Sequence, residues 1–243
     1  MPLCFGHSKA LYLSLHHKKT DMKRIIELTE DGSSTLFVPE LNEHYHSVKG
    51  AQTESQYIFI EQGFNTFNPP STHVLEIGFG TGLNAFLTLQ AAEKQMRMVH
   101  YTSLEKYPLT WEEVDSLHYS NQPVFQQLHI APWNHINRVT PHFHLHKIEA
   151  DAYYLLQTPQ HARQLLNDYF THIYFDAFAP EKQPEMWSEK IFQTLYNLLI
   201  PNGVLTTYCA KGCIRRMLQS IGFQIERLPG PPKGKREILR ASK

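Results

Sequence analysis

A spaced run of glycines and a carboxylate at the end of an apolar segment carry most of the chemical content of this sequence. In Leu75-Glu76-Ile77-Gly78-Phe79-Gly80-Thr81-Gly82-Leu83-Asn84, three glycines alternate directly after an apolar run. Without a Cβ, the backbone there can turn tightly and lie close against a bound group. A dinucleotide fingerprint, GxGxxG, would need glycine at position 83, where this chain has Leu83. The GxGxG spacing therefore favours an S-adenosylmethionine site over a pyrophosphate site. Further on, Tyr174-Phe175-Asp176-Ala177-Phe178-Ala179-Pro180 ends a second apolar run in an acid. A carboxylate beside a methyl donor can orient an amine acceptor and take its proton. Methylating an amine requires a lone pair aimed in line at the methyl, and an ammonium has none, so position and deprotonation dominate the catalytic task.

Other residues can be read against that pair. Glu105 ends the next apolar run, 23 residues past Gly82, where a carboxylate can accept hydrogen bonds from both ribose hydroxyls. Asp151, in Glu149-Ala150-Asp151-Ala152, stands at the level of an adenine amino group, or caps the helix that follows it. Glu76 would be a costly buried acid unless hydrogen-bonded, which associates it with the methionine end of the cofactor. Phe178 can stack on a planar base or fill core. Lys235 and Arg236 belong to the stiff, basic loop Pro229 to Glu237, which can contact phosphates or a base, or simply be a charged hairpin loop. His142, His144 and His146 alternate along one run and so share a face; with no acidic or Cys partner nearby, no metal is expected.

The elements that must position these residues follow from hydrophobic periodicity. From His73 onward, apolar strands alternate with amphipathic helices, the signature of an α/β fold with a mostly parallel sheet covered on both faces. Strands are expected at 73–77, 96–104, 143–148, 173–175 and 204–208, with 223–227 and 237–241 closing the sheet as an antiparallel hairpin. Ile214, Met217, Leu218 and Ile221 mark the clearest helical stripe. Before this doubly wound domain (73–243), residues 22–72 read as a hairpin turned at Asp31-Gly32 followed by a packed helix over 51–64. Residues 1–21 show no secretory pattern and are expected to form an ill-ordered extension.

Composition bounds the remaining choices. With 42% hydrophobic, 19% charged and 12% aromatic residues, the 243-residue chain is globular, and no apolar run is long enough to span a bilayer. Lysine plus arginine and aspartate plus glutamate each total 23, so the net charge is zero, which argues against whole-surface nucleic-acid binding. From Tyr208 to Lys243, however, nine basic residues face only Glu226 and Glu237, a local surplus of seven. Cys4, Cys209 and Cys213 form no CxxC pair, fit a reducing compartment, and read as small core residues.

The combination of Glu43-His44-Tyr45-His46, Gly50-Ala51, Glu54-Ser55, the 75–84 loop, Asp176 to Pro180 with Pro184, Met186 and Trp187, and Gly234-Lys235-Arg236-Glu237 resembles the methyltransferase domain of MnmC-type tRNA-modifying enzymes. The resemblance runs from about residue 22 to the end. It implies a Rossmann-like class I fold and methyl transfer from S-adenosylmethionine to 5-aminomethyl-2-thiouridine at the wobble position, giving 5-methylaminomethyl-2-thiouridine. It assigns Asp176 to the acceptor amine and Glu76, Gly78, Asn84, Glu105 and Asp151, with Gly80 and Gly82 of the same loop, to the cofactor. Bifunctional members continue into a flavin-dependent oxidase. This chain has no second glycine-rich fingerprint, so it resembles a stand-alone form with no FAD expected, in which another enzyme supplies the aminomethyl uridine. The implied partner is a tRNA anticodon stem-loop in the cytoplasm, with no membrane and no protein partner evident. Small-amine methylation or aminopropyl transfer on the same fold is the alternative, and a non-catalytic nucleotide- or RNA-binding module a third reading.

Overall fold

A computed structural model describes residues 22–166 and 169–243, so the expectation for residues 1–21 lies outside the described residues. The described chain opens with an antiparallel hairpin of β1 (Ile25–Leu28) and β2 (Ser34–Val38), to which β3 (Glu43–His44) adds. Helix α1 (Ala51–Ser55) continues into a π-helical turn at Gln56–Glu61 and a short 3-10 turn at Phe64–Thr66. There follow β4 (Thr72–Ile77), α2 (Leu83–Gln95), β5 (Val99–Glu105), α3 (Trp111–Asp115), α4 (Pro123–Ile130), β6 (Ile136–Thr140) and β7 (Phe143–Glu149). The chain ends with α5 (Ala152–Leu156), α6 (Pro159–Leu166), β8 (Phe170–Phe175), a 3-10 turn at Pro184–Trp187, α7 (Glu189–Leu198), β9 (Leu199–Thr207), α8 (Gly212–Ile221), β10 (Gln224–Pro229) and β11 (Glu237–Ser242).

Eight strands form one sheet in the order β10-β11-β9-β8-β4-β5-β7-β6. The five inner strands run parallel, while β11, β10 and β6 are antiparallel to their neighbours. From β4 the chain moves outward through β5 to β7, then returns to β8 on the other side of β4. That reversal opens a crevice at the carboxyl ends of β4, β5 and β8, where doubly wound sheets bind ligands.

Alternating side chains divide the interior into two layers. Leu75, Ile77, Ile173 and Phe175 pack with α5 to α8, whereas Val74, Tyr101 and Tyr174 face α2, α4 and the segment from Ala51 to Phe64. All six residues of β8 are buried, as a central parallel strand covered on both faces requires. The helix-bearing segment 51–66 thus shares its core with the main sheet, and Arg97 fastens its far end. Arg97 donates from Nη1 and Nη2 to the carbonyls of Phe64 and Phe67, and from Nε to Thr72 Oγ1, at 2.6–2.8 Å.

Several details depart from sequence expectation. The helix over 51–64 changes pitch at Gln56 and is not one continuous α-helix. Met96 does not begin a strand: it ends α2 in the left-handed conformation, φ 52°, and β5 starts at Val99. The edge strand β6 and the helices α3 and α4 were not anticipated; none of the residues Ile136–Thr140 is fully buried, so β6 carries no clean hydrophobic alternation. Cys209 is buried as expected, but Cys213 is exposed on the first turn of α8.

Candidate functional site

The glycine loop begins where β4 ends. Gly78 N donates to Leu104 O (2.9 Å), Gly80 N to Glu105 Oε2 (2.9 Å) and Gly82 N to Phe79 O (2.8 Å). Gly82 has φ +68°, and a Cβ there would lie 2.6 Å from the His129 ring, so both backbone conformation and space demand glycine. Glu105 also accepts from Tyr107 N through Oε1 (2.7 Å). It clasps the loop while retaining lone pairs for ribose hydroxyls. The N-terminal segment closes over this loop: buried His46 hydrogen-bonds through Nε2 to Thr81 Oγ1 (2.8 Å), and burial lowers its pKa to about 4, keeping the ring neutral.

Behind the loop lies a buried polar cluster. Glu76 is fully inaccessible and accepts from Ser103 Oγ (2.7 Å). Burial, then the nearby Asp176 charge, push its carboxyl well above the usual range against the moderating contacts of Ser103, Asn84 and Tyr101. Asn84 Nδ2 donates to Asp176 Oδ2 (2.9 Å). Asp176 stands just past β8, its backbone N–H donating to Ile77 O (3.3 Å). Withdrawal from solvent and the charge of Glu54 raise its pKa to about 7, opposed by Asn84 and Lys235. A carboxylate poised there can exchange a proton near neutrality.

Glu54, on α1, is a second acid at the same end of the site, and sequence reasoning gave it no role. It is 7% exposed, accepts from Ser47 N (2.8 Å), and pairs through Oε1 with Lys235 Nζ (2.9 Å). The Lys235 ammonium also lies over the Tyr208 ring, 3.9 Å from its centroid. Tyr208 donates its hydroxyl to Ala177 O (2.8 Å), next to Asp176. The carboxylate spacing and the Tyr208 ring are invisible in the linear order; the Glu54-Ser55 dipeptide was the only hint.

Asp151 performs the structural role that its sequence position left open, capping α5 through Tyr153 N (2.9 Å), and it also pairs with Lys106 (2.8 Å). Phe178 meets Tyr45 edge-on at 5.5 Å, and its carbonyl accepts from Trp187 Nε1 (2.7 Å), which holds the 176–180 turn in place. Arg236 is exposed, whereas its neighbour Lys235 turns toward Glu54. Much of the basic tail is engaged internally: Lys211 pairs with Glu181, Arg227 with Glu237 and Arg240 with Glu226, while Lys243 donates to two carbonyls. His142 pairs with Glu93 and His144 packs against His100. Among the described residues, no group of three or more His, Cys, Asp or Glu could hold a metal ion.

One cavity of about 580 Å³ unites these parts. Its lining includes Gly78, Gly80, Asn84, Glu105, Asp151, Asp176, Phe178, Glu54, Tyr208 and Lys235. Gly82 and Glu76 lie behind the lining: the first shapes the loop, the second supports Asn84. The volume is in the range of about 300–1,000 Å³ usual for small-molecule sites. Asn84 Oδ1 is buried with no hydrogen-bond partner among the described residues, as a group reserved for a ligand or a proton would be. The glycine cradle, the two acids past β5 and β7 and this orphaned acceptor fit an adenosyl cofactor with its methionine end toward Asp176. No helix among the described residues is long and apolar enough to cross a membrane.

Comparison with known proteins agrees with this geometry. Residues 94–243 match the family model described as S-adenosyl-L-methionine-dependent methyltransferase. The tRNA 5-methylaminomethyl-2-thiouridine biosynthesis bifunctional protein MnmC of Actinobacillus pleuropneumoniae is 29% identical over 240 residues, covering 89% of this chain and 35% of that protein. Its counterpart in Aeromonas salmonicida is 31% identical over 242 residues, covering 89% and 34%. The chain thus spans about a third of the length of the curated relatives it matches. The crystal structure of MnmC2 from Aquifex aeolicus superposes with a TM-score of 0.71 at 21% identity, covering 92% of this chain and 71% of that one.

Proposed function

The chain belongs to the S-adenosyl-L-methionine-dependent methyltransferase family, and from that premise we propose that it methylates the primary amine of 5-aminomethyl-2-thiouridine at the tRNA wobble position, giving 5-methylaminomethyl-2-thiouridine. The observation that carries this reading is Asp176, fixed by Asn84 at the strand tip, beside the glycine loop and with a pKa of about 7. The names of the matched relatives supply the acceptor.

When bound, S-adenosylmethionine supplies an electrophilic methyl group on a sulfonium. Gly78, Gly80 and Gly82 allow the loop backbone to lie against it, Glu105 takes the ribose hydroxyls and Asp151 the adenine amino group. Asn84, with Glu76 buried behind it, would meet the methionine end. Asp176 orients the acceptor amine and removes the proton that occupies its lone pair, then gives that proton to solvent. Phe178 stacks on the pyrimidine, and Arg236 meets anticodon-loop phosphate. The transfer is redox-neutral and requires no flavin. An aminomethylated uridine must already exist, so an upstream enzyme supplies it, in the cytoplasm where tRNA is handled.

The test is to incubate the protein with labelled S-adenosylmethionine and tRNA lacking the modification, then to identify the digested nucleosides by mass spectrometry. The expected product is 5-methylaminomethyl-2-thiouridine, absent with Asp176→Ala. No transfer despite cofactor binding would overturn the tRNA assignment in favour of small amines.

A further inference from the structure

The acceptor end of the cavity already contains an ammonium, and it belongs to the protein. Lys235 Nζ sits 2.9 Å from Glu54 Oε1 and 3.9 Å from the centroid of Tyr208, close enough to Asp176 to oppose the rise in its pKa. A primary ammonium is recognised by such a set: a carboxylate to accept its N–H groups, an aromatic face for its charge, and a second acid alongside. The loop carrying Lys235 is shaped to aim it there. A Cβ on Gly230 would lie 1.6 Å from Lys235 O, Gly230 N donates to Arg236 O (2.9 Å), and Tyr57 Oη donates to Pro229 O (3.0 Å).

The two partners of this ion pair differ in exposure. The Lys235 side chain is 40% exposed, and that of Glu54 10%. A cation this exposed contributes little to folding and can leave at small cost. Glu54, by contrast, would remain a buried charge without a counter-ion unless another cation replaced the one that left. We propose that Glu54 and Tyr208 form, with Asp176, a subsite for the primary ammonium of the acceptor, and that Lys235 occupies this subsite in the free protein as an internal surrogate which the acceptor displaces. The inference rests on the amine-methylating reading and adds to it a specificity element: Glu54 selects a cationic aminoalkyl group before Asp176 deprotonates it. Displacement also frees the Lys235 head for a phosphate of the incoming anticodon loop.

The probe is n-propylammonium chloride, titrated calorimetrically into protein saturated with S-adenosylhomocysteine, with sodium chloride as the ionic control. Lys235→Met should bind the probe at least threefold more tightly than wild type, because the internal competitor is gone. Glu54→Gln should bind it at least tenfold more weakly. In wild-type protein carrying 15N-labelled lysine, the Lys235 ammonium signal, assigned by its loss in Lys235→Met, should shift on saturation with the probe. An unshifted signal at saturation, or probe binding by Lys235→Met no tighter than wild type, overturns the proposal, and the wild-type spectrum serves even if Glu54→Gln fails to fold, with Lys235→Arg assigning the signal if Lys235→Met does not fold. The titration needs no tRNA. Failed displacement with successful tRNA methylation removes the subsite alone; displacement without tRNA methylation removes the tRNA acceptor alone.

Discussion

Asn84 Nδ2 donates to Asp176 Oδ2 at 2.9 Å across 92 residues of sequence, tying the first turn of α2 to the tip of β8. The bond commits an amide N–H to Asp176 and leaves Asn84 Oδ1 buried with no partner among the described residues, while Asn84 also moderates the raised pKa of the buried Glu76. Burial pushes the Glu76 carboxyl well above its ordinary range, and contacts with Ser103, Asn84 and Tyr101 oppose that rise. Asn84, on the first turn of α2, thereby holds the carboxylate at the tip of β8 in place beside the cavity.

Replacing Asp176 by Ala should lower turnover by about 10²–10⁴-fold, the usual contribution of a positioned base. Cofactor affinity should change little, since the carboxylate acts on the acceptor. Single-turnover kinetics with calorimetric S-adenosylmethionine titration checks both halves.

The pH profile of kcat/KM should rise through about 7, because the unprotonated form of Asp176 is the active one. Glu54→Gln removes a negative neighbour that raises this pKa, so the midpoint should move to lower pH. A midpoint unmoved or moved upward in this variant would show that the titrating group is not Asp176.

Glu105→Ala removes the acceptor for Gly80 N and Tyr107 N and the proposed ribose contact together. Cofactor binding should weaken by about 1–3 kcal/mol, roughly 5- to 150-fold, while tRNA binding is retained. Loss of tRNA binding with intact cofactor affinity would reverse the assignments of Glu105 and the acceptor side.

Arg97 lies outside the cavity, yet its guanidinium satisfies two backbone carbonyls and Thr72 and covers the Phe64 ring at 4.0 Å. Arg97→Met should destabilise the fold by about 2–4 kcal/mol by leaving those carbonyls buried and unpaired. Thermal melting should register the loss, with cofactor affinity unchanged well below the transition.

Much of the scaffold was legible in the linear text because it depends on local order. Strand-loop-helix succession around Gly78 to Asn84 placed the glycines at the end of β4, and the apolar run before Asp176 placed that acid at the tip of β8. The edge strand β6 was hidden because an exposed edge need not alternate. The basic surplus near the C-terminus was correctly counted but incompletely interpreted, since Lys211, Arg227, Lys235 and Arg240 are partnered by acids that only folding brings near.

By itself, the sequence determined which backbone could turn beneath a cofactor and which acids would stand at strand ends, because glycine spacing and hydrophobic period are properties of neighbours in the chain. Tertiary structure alone decided what those acids do electrostatically. Asp176 is raised to about 7 by burial and by Glu54, 122 positions earlier, while Lys235, 59 positions later, opposes that rise. Desolvation and Coulomb interaction depend on distance in space, and the sheet's return from β7 to β8 is what makes those distances short.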